Sequence, residues 1–308
     1  MTTHIELRQG NFLDRKAAQR LTEHMIRGQS KTFYFATGLL PEPQRKAIRA
    51  LYAFCRATDD LVDCEDATIA DLQNWHAQVN LTPEEQTDPT LFCWASVRQE
   101  YGVDRRYEQE LIDGVRMDLE FRPYQTWENL EDYCYHVAST VGLLSMPIIG
   151  LAPRVSFEQA APYAIKLGIS LQLTNILRDI GEDARMRRIY LPETDLLHFG
   201  LTQQDIHNQV FDQRFIALMQ FEIVRARQLY KEALPGITML SSAVRPAVGA
   251  AAMLYATILD EIEAIHYQVY QIRAHTSTWR KIQMLPAIIF HVLSLPPVEA
   301  IAGIERYL

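Results

Sequence analysis

The sequence contains no glycine-rich nucleotide loop, no HExxH or comparable histidine spacing, and no alternating apolar run bounded by hairpin turns. These absences argue in turn against phosphate-loop or dinucleotide chemistry, against a zinc site and against a sheet. Cysteine is scarce: Cys55, Cys64, Cys93 and Cys134 form no CxxC pair, as expected of reduced thiols in a cytoplasmic protein. The polar N-terminus has no apolar h-region, so no secretory signal is expected. No apolar run is long enough to cross a bilayer; the nearest, 285–295, is interrupted by His291 and bracketed by Pro286, Pro296 and Pro297. It reads as a buried final helix, with an interfacial contact as the second reading. Positive charge is in deficit, with 30 Lys and Arg against 38 Asp and Glu and a formal net charge of -8, which disfavours non-specific nucleic-acid binding.

Helical periodicity dominates what is present. With 308 residues, 48% of them hydrophobic, the chain is near the upper size for one core, and no repeat or linker divides it, so a single domain over 1–308 is expected. Long helices are predicted at 41–64, 104–121, 127–149, 156–183, 211–234, 241–272 and 276–295. The prediction is an all-α domain of about ten or more helices around a central cavity. Flexible spots are expected at 79–89 and 181–188.

The stretch 172–183, QLTNILRDIGED, places Gln172, Asn175, Asp179 and Asp183 on one face of a helix that is otherwise apolar. A polar stripe on such a helix looks into a cavity. Two carboxylates one turn apart repel by a few tenths of a kcal/mol on an exposed helix, and by more where water is excluded, so a cation between them is favourable. Oxygen donors alone suit Mg²⁺, with Mn²⁺ as a substitute. A surface helix with ordinary solvated charges would give the same stripe. The sequence ATDDLVD repeats the pattern, however, with Asp59 and Asp63 one turn apart and Asp60 between them. Two facing carboxylate walls would hold several Mg²⁺ ions, whose natural ligand is a diphosphate. Arg56, one turn before Asp59, suits a diphosphate oxygen or a plain salt bridge to Asp60, and Tyr52 lies one turn further back. Gln172 and Arg178 are the corresponding diphosphate contacts beside the second motif, where Asn175, Asp179 and Asp183 take the metal.

The pairing of DDLVD with QLTNILRDIGED and RRIYLPETDL resembles the squalene/phytoene synthase family of head-to-head prenyl transferases. SKTFYFATGLLP, LYAFCR, YCYHVASTVG and LYATILDEIEAIHY extend the likeness along nearly the whole chain, with a departure at Gln29, where relatives carry His. The resemblance implies an isoprenoid-synthase helical bundle that joins two prenyl diphosphates in a Mg²⁺-dependent reaction. It places Ser30, Lys31, Thr32, Tyr255 and Arg273 near substrate diphosphate and Tyr133 near the reacting carbons. Arg185, Arg187 and Arg188, directly after the acidic motif, are placed either to fold over an anionic substrate as a flap or to balance the local acidity. YCYHVAS and RRIYLP are most similar to the bacterial phytoene-forming branch, which implies geranylgeranyl diphosphate as substrate and no NADPH. A farnesyl-diphosphate route to dehydrosqualene, presqualene diphosphate, hydroxysqualene or squalene is the alternative. A non-catalytic binding or assembly factor is the remote one, and would be expected to lose carboxylates that this chain keeps. A hydrophobic product further suggests peripheral membrane contact and downstream isoprenoid enzymes as partners.

Overall fold

The computed structural model describes Ala18, Thr22, Glu23, 31–62 and 67–296, without the side chains of Lys31 and Thr32. Thirteen α-helices fall within these residues, and no strand does. They are α1 (Lys31–Thr37), α2 (Glu42–Asp60), α3 (Ile69–Val79), α4 (Pro89–Tyr101), α5 (Arg106–Leu119), α6 (Trp127–Cys134), α7 (Thr140–Ile149), α8 (Phe157–Arg185), α9 (Glu193–His198), α10 (Gln203–His207), α11 (Gln213–Ala233), α12 (Arg245–Ala264) and α13 (Thr278–Ser294). A π-turn, Tyr135–Ser139, joins α6 to α7 without a break.

The 29-residue α8 is the axis of the bundle. It starts at a capping box, in which Ser156 Oγ accepts from the Gln159 backbone and Gln159 Oε1 accepts from the Ser156 backbone. Ile165, Ile169, Leu173, Ile176, Leu177 and Ile180 are all buried, and the helix packs against α7, α11, α12 and the π-turn. Its contact with the π-turn is close: a Cβ on Gly168 would come within 2.5 Å of Ser139 Cα. Ser139 Oγ donates to the Ile165 carbonyl at 2.8 Å across the same crossing. At the base, Leu151 and Leu240 form an isolated antiparallel bridge, with the Ser241 backbone N–H on the Gly150 carbonyl at 2.9 Å.

The all-α prediction holds, and three boundaries differ from expectation. α2 ends at Asp60 rather than at 64, and Asp63 lies outside the described residues. α12 stops at Ala264 because His266 and Tyr267 both take left-handed backbone, at φ 53° and 62°, and turn the chain back across α8. The segment 181–188 is mostly ordered helix, since α8 continues to Arg185 before the left-handed Arg187 redirects it. The final helix α13 is not buried as expected: only Ile288 and Val292 are, whereas Trp279, Ile282, Phe290 and Leu293 are exposed.

Candidate active site

An apolar cavity of about 250 Å³ lies between α1, α2, α7, α8 and α12. On α2 its wall is Ile48, Leu51, Tyr52 and Cys55, and Asp59 follows one turn later. On α8 its wall runs from Ala160 through Ala164, Gly168 and Leu171, and Gln172, Asn175, Asp179 and Asp183 follow. Both helices therefore pass from an apolar floor to an oxygen-rich end in the same chain direction. Phe33 and Tyr52 stack at a centroid distance of 4.6 Å in the cavity wall. Cys55 is buried, and desolvation followed by the Asp59 carboxylate raises its thiol pKa well above the ordinary value.

The α8 stripe carries a continuous polar chain. Asn175 Nδ2 donates to Gln172 Oε1 at 3.2 Å, and the Tyr255 hydroxyl from α12 donates to Asn175 Oδ1. Arg178 reaches the Tyr255 hydroxyl at 3.0 Å and grips Asp179, its Nε lying 2.8 Å from Oδ1. Arg273 holds the same carboxylate through two bonds of 2.8 and 3.0 Å. Burial works against the charged Asp179, but the Arg178 and Arg273 hydrogen bonds outweigh it and leave the pKa lowered. Asp183 is the opposite case. Burial, then the charges of Asp179, Asp118 and Glu182, push its pKa up to about 8 against a weaker pull from Arg188.

Arg273 reaches α8 because Gly181 has no side chain. A Cβ there would lie 2.7 Å from both Tyr270 Cα and the Val269 carbonyl oxygen, inside the segment that leads to Arg273. Gly181→Ala is expected to destabilise the protein by about 1–3 kcal/mol through overpacking and to weaken Mg²⁺-pyrophosphate binding. Denaturant midpoints and calorimetric titration measure the two effects.

The other predicted residues divide. Arg56 pairs with Asp60, and Arg188 donates to the Val62 carbonyl at 3.3 Å, which ties the end of α8 to the end of α2. The Tyr133 hydroxyl donates to Asp118 at 2.8 Å, and Tyr190 joins the same carboxylate at 2.7 Å with its ring 5.2 Å from that of Tyr133. Asp118 thus anchors an aromatic cluster beside Asp183, and Tyr133 belongs to that cluster rather than to the cavity wall. Neither Asp118 nor Tyr190 is among the site residues expected from the sequence above; the Tyr-Leu-Pro after the arginines is the available signal for the second. Ser30 and Asp63 lie outside the described residues, as do the side chains of Lys31 and Thr32.

Among the described residues no three His, Cys, Asp or Glu side chains converge as a ready-made metal cage. The donors nevertheless fit a hard cation. Asn175, Asp179 and Asp183 present only oxygen to it, and Asp183 sits in an excess of negative charge that a divalent ion would relieve.

The squalene/phytoene synthase family model matches residues 26–280. The chain is 42% identical over 281 residues to the 15-cis-phytoene synthase of Synechococcus elongatus, covering 86% of this chain and 90% of that one. It is 41% identical over 285 residues to the phytoene synthase of Arthrospira platensis, covering 88% and 92%. A dehydrosqualene synthase crystal structure superposes with a TM-score of 0.84 at 31% identity, over 91% of this chain and 98% of that one. A squalene synthase from Alicyclobacillus acidocaldarius gives 0.74 at 25%, over 82% and 95%. With the family model matching most of its length and such relatives nearly end to end, the chain belongs to the squalene/phytoene synthase family.

Proposed function

We propose that the protein joins two geranylgeranyl diphosphates head to head to give phytoene, the first committed step toward carotenoids. The observation that carries this reading is the shared polarity of α2 and α8, which leads an apolar cavity up to two acidic helix ends. The names of the relatives with about 41% identity supply the product, phytoene, whose skeleton is two geranylgeranyl units joined head to head. The C1–O bond of the donor breaks and diphosphate departs with the electron pair. The acceptor's C2–C3 double bond attacks the resulting allylic carbon, and loss of a proton closes a cyclopropylcarbinyl diphosphate. Departure of the second diphosphate, rearrangement and a final proton loss give the hydrocarbon, so no reductant is needed.

Bound Mg²⁺ would supply the positive charge that stabilises the departing diphosphate. Asn175, Asp179, Asp183 and Asp59 would hold it. Arg178 and Arg273, now on Asp179, carry the guanidinium geometry that suits diphosphate oxygens. Tyr255 aligns Arg178 and Asn175, while Gln172 and Arg56 extend the polar rim. The Phe33 and Tyr52 rings offer π faces to an allylic cation, a contribution of about 0.5–2 kcal/mol. The apolar walls exclude the water that would quench the cation.

Product analysis tests the reading. Purified protein with Mg²⁺ is expected to convert geranylgeranyl diphosphate to phytoene equally well with and without NADPH, as read by mass of the extracted lipid. Products from farnesyl diphosphate alone would move it to the branch of its dehydrosqualene-forming structural neighbour. No turnover of either substrate would overturn the enzyme reading.

A further inference from the structure

Helix α13 carries two separate apolar faces. Met284, Leu285, Ile288 and Val292 turn inward onto α12 and the Leu234–Met239 turn, where they form a small cluster with Ile237, Ala250 and Leu254. The crossing with α12 is tight, since a Cβ on Gly249 would meet Val292 Cγ2 at 2.3 Å. On the opposite side Trp279, Ile282, Pro286, Phe290 and Leu293 recur at spacings of three and four, which makes a single outward stripe. Trp279 is 68% exposed, Phe290 76% and Leu293 63%. Such a ladder on the outer face of a two-faced helix is costly in water and needs an apolar neighbour.

Charge and position identify that neighbour. From 272 to 296 the sequence contains no Asp or Glu, in a chain of net charge -8; of its three cations Arg273 is held by Asp179, whereas Arg280, which pairs with Glu261 of α12, and Lys281 stand on α13 itself. Arg280 and Lys281 directly follow Trp279 at the start of the helix, the residue combination that anchors a helix in an anionic headgroup layer. The inner face of α13 meets Ile237 and Val248, which also line the apolar cavity, so one helix separates the cavity from the stripe.

We propose that α13 lies in the surface of an anionic lipid bilayer, with Trp279, Ile282, Phe290 and Leu293 in the acyl boundary. The inference deepens the proposed function: substrates with prenyl tails arrive from this lipid, and the water-insoluble hydrocarbon leaves into it.

The test is flotation of the full chain with vesicles of phosphatidylglycerol or of phosphatidylcholine, without substrate. The wild type is expected to float with phosphatidylglycerol and much less with phosphatidylcholine. F290S/L293S is expected to lose at least about tenfold in partitioning. L197S/V224S removes an equally exposed apolar pair, at 66% and 64%, on α9 and α11, and is expected to float as the wild type does. Turnover of detergent-dispersed geranylgeranyl diphosphate, expected to be unchanged in both variants, reports on the catalytic reading separately. Equal flotation of all three proteins, or none by the wild type, would overturn the proposal. So would a wild-type dimer in lipid-free solution that F290S/L293S converts to monomer.

Discussion

Asp183→Asn is expected to yield a protein that barely turns over prenyl diphosphate, yet outlasts the wild type in thermal unfolding when a chelator is present. The carboxylate is held at a pKa of about 8 by burial and by Asp179, Asp118 and Glu182, against an ordinary value of 3.8. A carboxyl group whose pKa is raised on folding costs nothing at pH values below 3.8. The cost of ionising it then grows with pH until the folded-state pKa is passed. At pH 7 the metal-free protein therefore carries a penalty on the order of 4 kcal/mol, which Asn removes. The difference in stability between variant and wild type should vanish near pH 4. Activity should move the other way, by about a thousandfold, because the lost charge is one that would draw diphosphate from the substrate. Retained turnover would remove Asp183 from the site, and equal stabilities at pH 7 would mean that its neighbours do not repel it.

Ala164→Phe is expected to discriminate between prenyl chains rather than to inactivate. Ala164 lines the cavity on α8, fifteen residues before Asp179, which at a rise of 1.5 Å per residue is about 22 Å along the axis. It faces Gly142, where an added Cβ would already stand 3.6 Å from the Ala164 Cβ. A phenyl ring there fills the deep end of the cavity. The clash of about 1–3 kcal/mol falls on the last isoprene unit of the longer substrate, so kcat/KM for geranylgeranyl diphosphate should drop about ten- to hundredfold. Farnesyl diphosphate, one unit shorter, should be spared. Competition between the two substrates, read as product masses, checks this. An equal loss on both would make Ala164 a packing residue with no influence on chain length.

The metal-binding half of the site was legible because it is local. Asn175, Asp179 and Asp183 lie within three turns of one helix, and helical period alone aligns them. Their partners depended on where the chain returns. The grip of Arg273 on Asp179 depends on the left-handed pair His266 and Tyr267 and on the bare Gly181, and neither residue type announces such a crossing. The bond from Arg188 to the Val62 carbonyl links positions 126 apart, beyond any pattern of spacing. The likeness places Tyr133 near the reacting carbons; the fold adds that its hydroxyl donates to Asp118, fifteen residues earlier on α5. The final helix departs from expectation for a different reason. Its residues are apolar on both sides, and composition does not say which side the bundle covers.

The grip of two guanidinium groups on Asp179 makes the site reciprocal. A cation that takes this carboxylate must displace Arg178 and Arg273, and a diphosphate is the partner that can receive both once they are released. Each ligand thereby lowers the other's cost of binding, and thermodynamic linkage requires the gain to be the same in both directions. Free Mg²⁺ and free diphosphate should each bind weakly, and together cooperatively. The enzyme would then respond to the concentration of the magnesium–diphosphate complex rather than to either component alone.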